Sequence, residues 1–84
     1  MTEFHSISSA QVADNYTVIV EFINGEKVRY NIEILIDNYE MFKPLKDKRL
    51  FYECKVDRQG YGLYWNDDID ISCNELWENG ERIL

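Results

Sequence analysis

Between Tyr16 and Ile32, apolar and polar side chains alternate in two runs separated by Asn24-Gly25. Tyr16, Val18, Val20 and Phe22 alternate with Thr17, Ile19 and Glu21. Val28, Tyr30 and Ile32 alternate with Lys27, Arg29 and Asn31. Period two marks a half-buried strand, so the pattern predicts a hairpin. A two-residue Asn-Gly loop would set Phe22 opposite Lys27 and Val20 opposite Arg29, mixing core and surface on one face. A three-residue loop, Ile23-Asn24-Gly25, sets Val20 opposite Val28, Val18 opposite Tyr30 and Glu21 opposite Lys27. The expectation is therefore a type I turn closed by a left-handed Gly25 and a bulge. Upstream, residues 4–12 are expected to add a strand anchored by Ile7.

After Glu33 the alternation breaks. Ile34, Leu35 and Ile36 run together, and a short helix or turn is expected within residues 34–42, ending by Pro44. Asp47 is placed to cap a helical turn over residues 48–52. Residues 53–57 read as a strand with Cys54 and Val56 on one face. A turn at Arg58-Gln59-Gly60 follows, then a strand in which Tyr61, Leu63 and Trp65 alternate with Gly62 and Tyr64. Ser72-Cys73-Asn74-Glu75 is a capping box, with Ile71 and Leu76 at the staple positions. The helix it opens should run over Cys73–Asn79, stop at Gly80 and lie on the sheet through Leu76 and Trp77. The fold expected is a small single α+β domain spanning residues 1–84, built of antiparallel β-hairpins with short helices and a capped C-terminal helix.

Composition narrows the function chiefly by exclusion. Eighty-four residues suffice for one domain, and a chain this short leaves little stability to support a strained catalytic site. The net charge of −7 opposes direct binding to nucleic acid and to an anionic membrane surface. No run is long enough to span a bilayer. Residues 1–10 lack the pattern of a secretory signal, so a cytoplasmic location is expected. There, Cys54 and Cys73 are expected to remain free thiols, and neither sits in a CxxC spacing.

Charge is unevenly placed. Six of the nine basic residues fall within 43–58, including Lys43, Lys46, Lys48 and Arg49. The segment 59–81 has no basic residue and carries Asp67, Asp68, Asp70, Glu75, Glu78 and Glu81. On separate faces these stretches would give the molecule a dipole able to steer a partner. Asp67, Asp68 and Asp70 supply oxygen ligands, but without the further ligands and glycine of a calcium loop. His5 is the one histidine and has no Ser, Cys or Thr partner marked by spacing. Gly60-Tyr61-Gly62 lacks the remaining residues of a phosphate loop. No catalytic residue and no cofactor or metal site is assigned. If Leu63 and Trp65 face the core, Tyr64 lies outside beside Gly62, expected as a bare backbone patch. Aromatic side chains flanked by carboxylates suit a protein contact.

Three blocks of the chain resemble a bacterial family, DUF2442. They are 14–26, with Asp14-Asn15-Tyr16-Thr17 through Asn24-Gly25-Glu26; Phe42-Lys43-Pro44-Leu45-Lys46-Asp47 followed by Leu50-Phe51; and Gly60-Tyr61-Gly62-Leu63-Tyr64-Trp65-Asn66-Asp67-Asp68-Ile69-Asp70-Ile71-Ser72 with Glu75-Leu76-Trp77. The resemblance covers nearly the whole chain and implies a compact α+β architecture. Members occur alone or joined to a helix-turn-helix domain, often encoded beside another small protein in the manner of toxin–antitoxin pairs. No helix-turn-helix is expected here, and the family brings no established catalytic residues.

The functional expectation is a non-enzymatic interaction or regulatory module, antitoxin-like, that binds a small protein partner or self-associates. Its candidate interface residues are Tyr61, Tyr64, Asp67, Asp68, Asp70, Lys43, Lys46, Lys48 and Arg49. One alternative is a subunit of a nucleic-acid-associated complex that uses the basic stretch 43–58. Another is a metal-dependent enzyme that uses Asp67, Asp68 and Asp70.

Overall fold

The computed structural model describes residues 5–83. Strands β1 (Ile7–Ala13), β2 (Thr17–Phe22) and β3 (Lys27–Asn31) form an antiparallel meander. The β2–β3 register sets Val20 opposite Val28, Val18 opposite Tyr30 and Glu21 opposite Lys27, as the pattern requires. Its three-residue turn is closed by bonds from the Gly25 amide to the Phe22 carbonyl (2.9 Å) and from the Phe22 amide to the Glu26 carbonyl (2.8 Å). Gly25 has φ +92°, the left-handed geometry that only glycine enters freely. Ile7 is buried and anchors β1; the expected start of that strand at Phe4 lies outside the described residues.

Tyr16 departs from expectation. It does not open the strand but sits in the preceding turn, with Asn15 at φ +62° and Tyr16 at φ +57°. Left-handed backbone costs a bulky residue roughly 1–2 kcal/mol. Tyr16 is held there by three contacts. Its hydroxyl donates to the Lys46 carbonyl at 2.6 Å. Its ring meets Phe51 edge-on at 5.3 Å. Its carbonyl accepts from the Ile32 amide at 2.8 Å.

The broken alternation resolves into helix α1 (Glu33–Asn38) and a 3-10 segment (Glu40–Lys46). The helical conformation does not end by Pro44 as expected but continues past it. A 3-10 run is a chain of separate turns, so a missing N–H removes one bond and leaves the others standing. Helix α2 (Lys48–Phe51) follows, capped by Asp47, whose carboxylate accepts from the Arg49 amide at 3.0 Å.

A second antiparallel sheet contains β4 (Lys55–Val56), β5 (Gly62–Asn66) and β6 (Ile69–Ser72), with β5 central. β4 is shorter than the strand expected over 53–57, and β6 has no counterpart in the sequence expectation. In β5 and β6, Leu63, Trp65, Ile69 and Ile71 point inward. The Trp65 indole N–H donates to the buried Phe51 carbonyl at 2.9 Å, tying α2 to this sheet.

Helix α3 (Cys73–Asn79) begins where its cap predicts, with the Ser72 hydroxyl accepting from the Glu75 amide at 3.1 Å. Gly80 ends it without turning left-handed, at φ −74°. A side chain there would press on the Leu76 carbonyl and on Val28. The glycine lets the helix end lie directly against β3. From it the chain leaves extended as β7 (Glu81–Ile83), which adds to β3 to give the order β1-β2-β3-β7. Both sheets and the helices bury one continuous core, in which Phe22, Phe51, Leu63 and Leu76 are fully enclosed. The fold is α+β, with antiparallel hairpins, short helices and a capped C-terminal helix.

Candidate interaction site

Strand alternation decides what the three-stranded sheet shows to solvent. With Leu63, Trp65, Ile69 and Ile71 inside, Tyr64, Asn66, Asp70 and Ser72 face out. Tyr64 is flanked by Lys55 on β4 and Asp70 on β6, its partners in register. The Lys55 ammonium lies 5.9 Å from the centre of the Tyr64 ring, within cation–π range. Asp57 organises the β4–β5 turn by accepting from the Gln59 amide at 3.0 Å and the Tyr61 amide at 3.4 Å. A groove of about 430 Å³ results, bordered by Asp57, Tyr61, Tyr64, Asp70 and Ser72. Tyr61 is 52% exposed and Tyr64 38%.

Gly62 lines this groove but is buried, not the bare patch expected. A β-carbon on it would stand 2.4 Å from the Ile71 carbonyl oxygen. The glycine is there because the β6 backbone crosses it closely.

The other acidic residues of the cluster lie in the β5–β6 turn. That turn is closed by Asn66, whose side-chain oxygen accepts from the Asp68 and Ile69 amides at 2.8 and 3.0 Å. Asp67 and Asp68 are left exposed. Among the described residues, no three His, Cys, Asp or Glu side chains converge closely enough to hold a metal ion, so Asp67, Asp68 and Asp70 do not form a cation cage.

The basic stretch is divided. The Lys43 ammonium turns back to donate to the Ile36 carbonyl at 3.0 Å, at the C-terminal end of α1, where a cation is favoured. Lys46, Lys48 and Arg49 stay exposed around α2, and Lys55 belongs to the Tyr64 face. The structure thus brings Tyr61, Tyr64 and Asp70 to one groove, sets Asp67 and Asp68 in the adjoining turn, and leaves Lys43, Lys46, Lys48 and Arg49 on the α1–α2 segment.

Cys54 is partly buried and Cys73 buried, and both are free thiols. Burial pushes the Cys54 thiol up to about 12, with Lys55 pulling weakly the other way. Burial also raises Cys73, partly opposed by backbone groups of Cys73, Asn74 and His5. The His5 ring is stacked on Trp77, with centroids 3.6 Å apart.

A second, larger groove of about 670 Å³ lies between β3, α1 and the end of α3. Its polar feature is a bond from the buried Tyr30 hydroxyl to the Glu75 carboxylate at 2.8 Å. Burial first, and then Glu75, hold the Tyr30 hydroxyl well above the ordinary phenol range. The capping-box pattern hid this feature, since it assigned the Glu75 side chain to the helix N-terminus. The available signal was Tyr30 itself, a core-facing residue whose hydroxyl needs a partner.

A family model described as protein of unknown function, DUF2442, matches residues 7–82. No curated protein and no solved structure matches the chain.

Proposed function

The chain belongs to the DUF2442 family, and from that premise we propose a non-enzymatic protein-interaction module, an antitoxin-like or regulatory subunit. It docks a basic segment of a small protein partner on the outer face of β4, β5 and β6. The observation that carries this reading is the placement of Tyr61 and Tyr64 with Asp57 and Asp70 around one groove. A phenol ring beside a carboxylate suits a lysine or arginine side chain, because the carboxylate supplies charge and the ring its negative face. Lys55 over Tyr64 is an intramolecular instance of that contact. The net charge of −7 draws a basic partner in and speeds its encounter. This reading places the chain in the cytoplasm, where Cys54 and Cys73 persist as free thiols.

Titration of the isotope-labelled chain with a short Lys/Arg-rich peptide, followed by amide NMR, tests the surface. The expected result is saturable shifts over 61–72, weakened by Asp70→Asn. Shifts confined to other elements, or none, would overturn it.

A further inference from the structure

The groove between β3, α1 and α3 carries a charge imbalance that its own residues do not resolve. At its rim, Arg29 binds Glu81 through two nitrogens, at 2.7 and 3.1 Å, so that cation is already matched. Deeper in, Glu75 is half-buried and spends one oxygen on the Tyr30 hydroxyl. Among the described residues its other oxygen has no partner, and no cation pairs with it. The peptide dipoles of the first turn of α3 offset only part of that charge. The free oxygen is open to the groove, and a carboxylate with no paired cation can take a charge-assisted bond from a cationic ligand that enters.

The remaining walls specify the shape of that cation. Ile34 of α1 and Tyr39 just past its end, at 64% and 56% exposure, line the groove as an apolar flank with Leu35. Asn38 and Asn79 put side-chain amides on the same groove. A carboxylate and apolar side chains lining one groove fit a chain of a few methylenes ending in an ammonium group. The volume of about 670 Å³ falls in the usual range for a small-ligand site.

We propose that this groove binds an alkylammonium group, with Glu75 taking the charge, Tyr30 holding the carboxylate in place, and Ile34 and Tyr39 covering the methylenes. Its residues are separate from those of the Tyr64 face, so either site can fail while the other stands.

The test is NMR titration of the labelled full chain with n-butylammonium and with Nα-acetyl-lysine methylamide, reading the side-chain amides of Asn38 and Asn79. Saturable shifts are expected with at least one amine at millimolar concentration, and none with n-butanol, which has the same chain and no charge. Tighter binding of n-butylammonium would identify a free amine as the ligand, and tighter binding of the lysine derivative a partner's lysine. Glu75→Gln keeps an acceptor for Tyr30 and should weaken binding about tenfold, the worth of a charge-assisted bond over a neutral one. Asp70→Asn should leave it unchanged. Ile34→Ser alters an exposed residue, so folding is not at stake, and it too should weaken binding. Absence of saturable shifts with both amines, equal binding of butanol, or wild-type affinity in either groove variant would overturn the proposal.

Discussion

At the scale of single residues, Tyr30 links stability to pH. Its hydroxyl is buried, donates to Glu75 and holds its proton far above the ordinary phenol range. In the unfolded chain the same hydroxyl ionises near about 10. Above that pH the unfolded state binds fewer protons than the folded one, so stability falls as pH rises. The stabilisation is complete below about 10 and is lost progressively above it. Tyr30→Phe should cost about 1 kcal/mol at neutral pH for the lost bond, and should flatten the alkaline decline. Urea unfolding of both chains at neutral and alkaline pH checks this; equal declines would contradict it. Such residue-scale features were only partly visible in the sequence. Alternation placed Tyr30 on the core face, but not opposite Glu75, 45 positions away.

At the scale of elements, local chemistry was legible and long-range pairing was not. The β2–β3 register, the Gly25 turn, the Asp47 cap and the Ser72 cap each depend on residues a few positions apart, and each is present. β6 and β7 were missed because four- and three-residue strands give too little alternation to stand out, and their partners set them. Tyr16 breaks a local preference that tertiary contacts override. Pro44 departs for a local reason, since a 3-10 run tolerates the missing N–H.

Two glycines distinguish local from tertiary constraint. At Gly25 a β-carbon meets nothing within 4 Å, so Gly25→Ala carries only the left-handed backbone cost, about 1 kcal/mol. At Gly62 the obstacle is the Ile71 carbonyl, which can yield only if β6 moves. Gly62→Ala should therefore cost about 3 kcal/mol, the upper end for overpacking. Denaturant midpoints rank the pair; Gly62→Ala as mild as Gly25→Ala would contradict the close β5–β6 approach.

At the scale of the whole molecule, the short segments close into a compact body with a Cα radius of gyration of 12.0 Å, close to the roughly 12 Å expected for this length. That compaction separates features adjacent in sequence and joins distant ones. The acidic–aromatic segment was legible as a candidate because β5 alternates cleanly, and Tyr61, Tyr64 and Asp70 do share a groove. The basic stretch was less legible, because contiguity in sequence did not foretell that Lys43 would turn back onto α1 while Lys55 joins the Tyr64 face.

The proposed docking surface is tested most directly by affinity capture from native lysate at low and moderate salt. The wild-type chain is compared with one carrying both Tyr64→Ala and Asp70→Asn, using mass spectrometry and an absorbance check for nucleic acid. The account predicts one small basic protein at equal stoichiometry with the wild-type chain and its loss from the double variant. Equal recovery by both chains, recovery only of nucleic acid that leaves as salt is added, or no partner at all would contradict it.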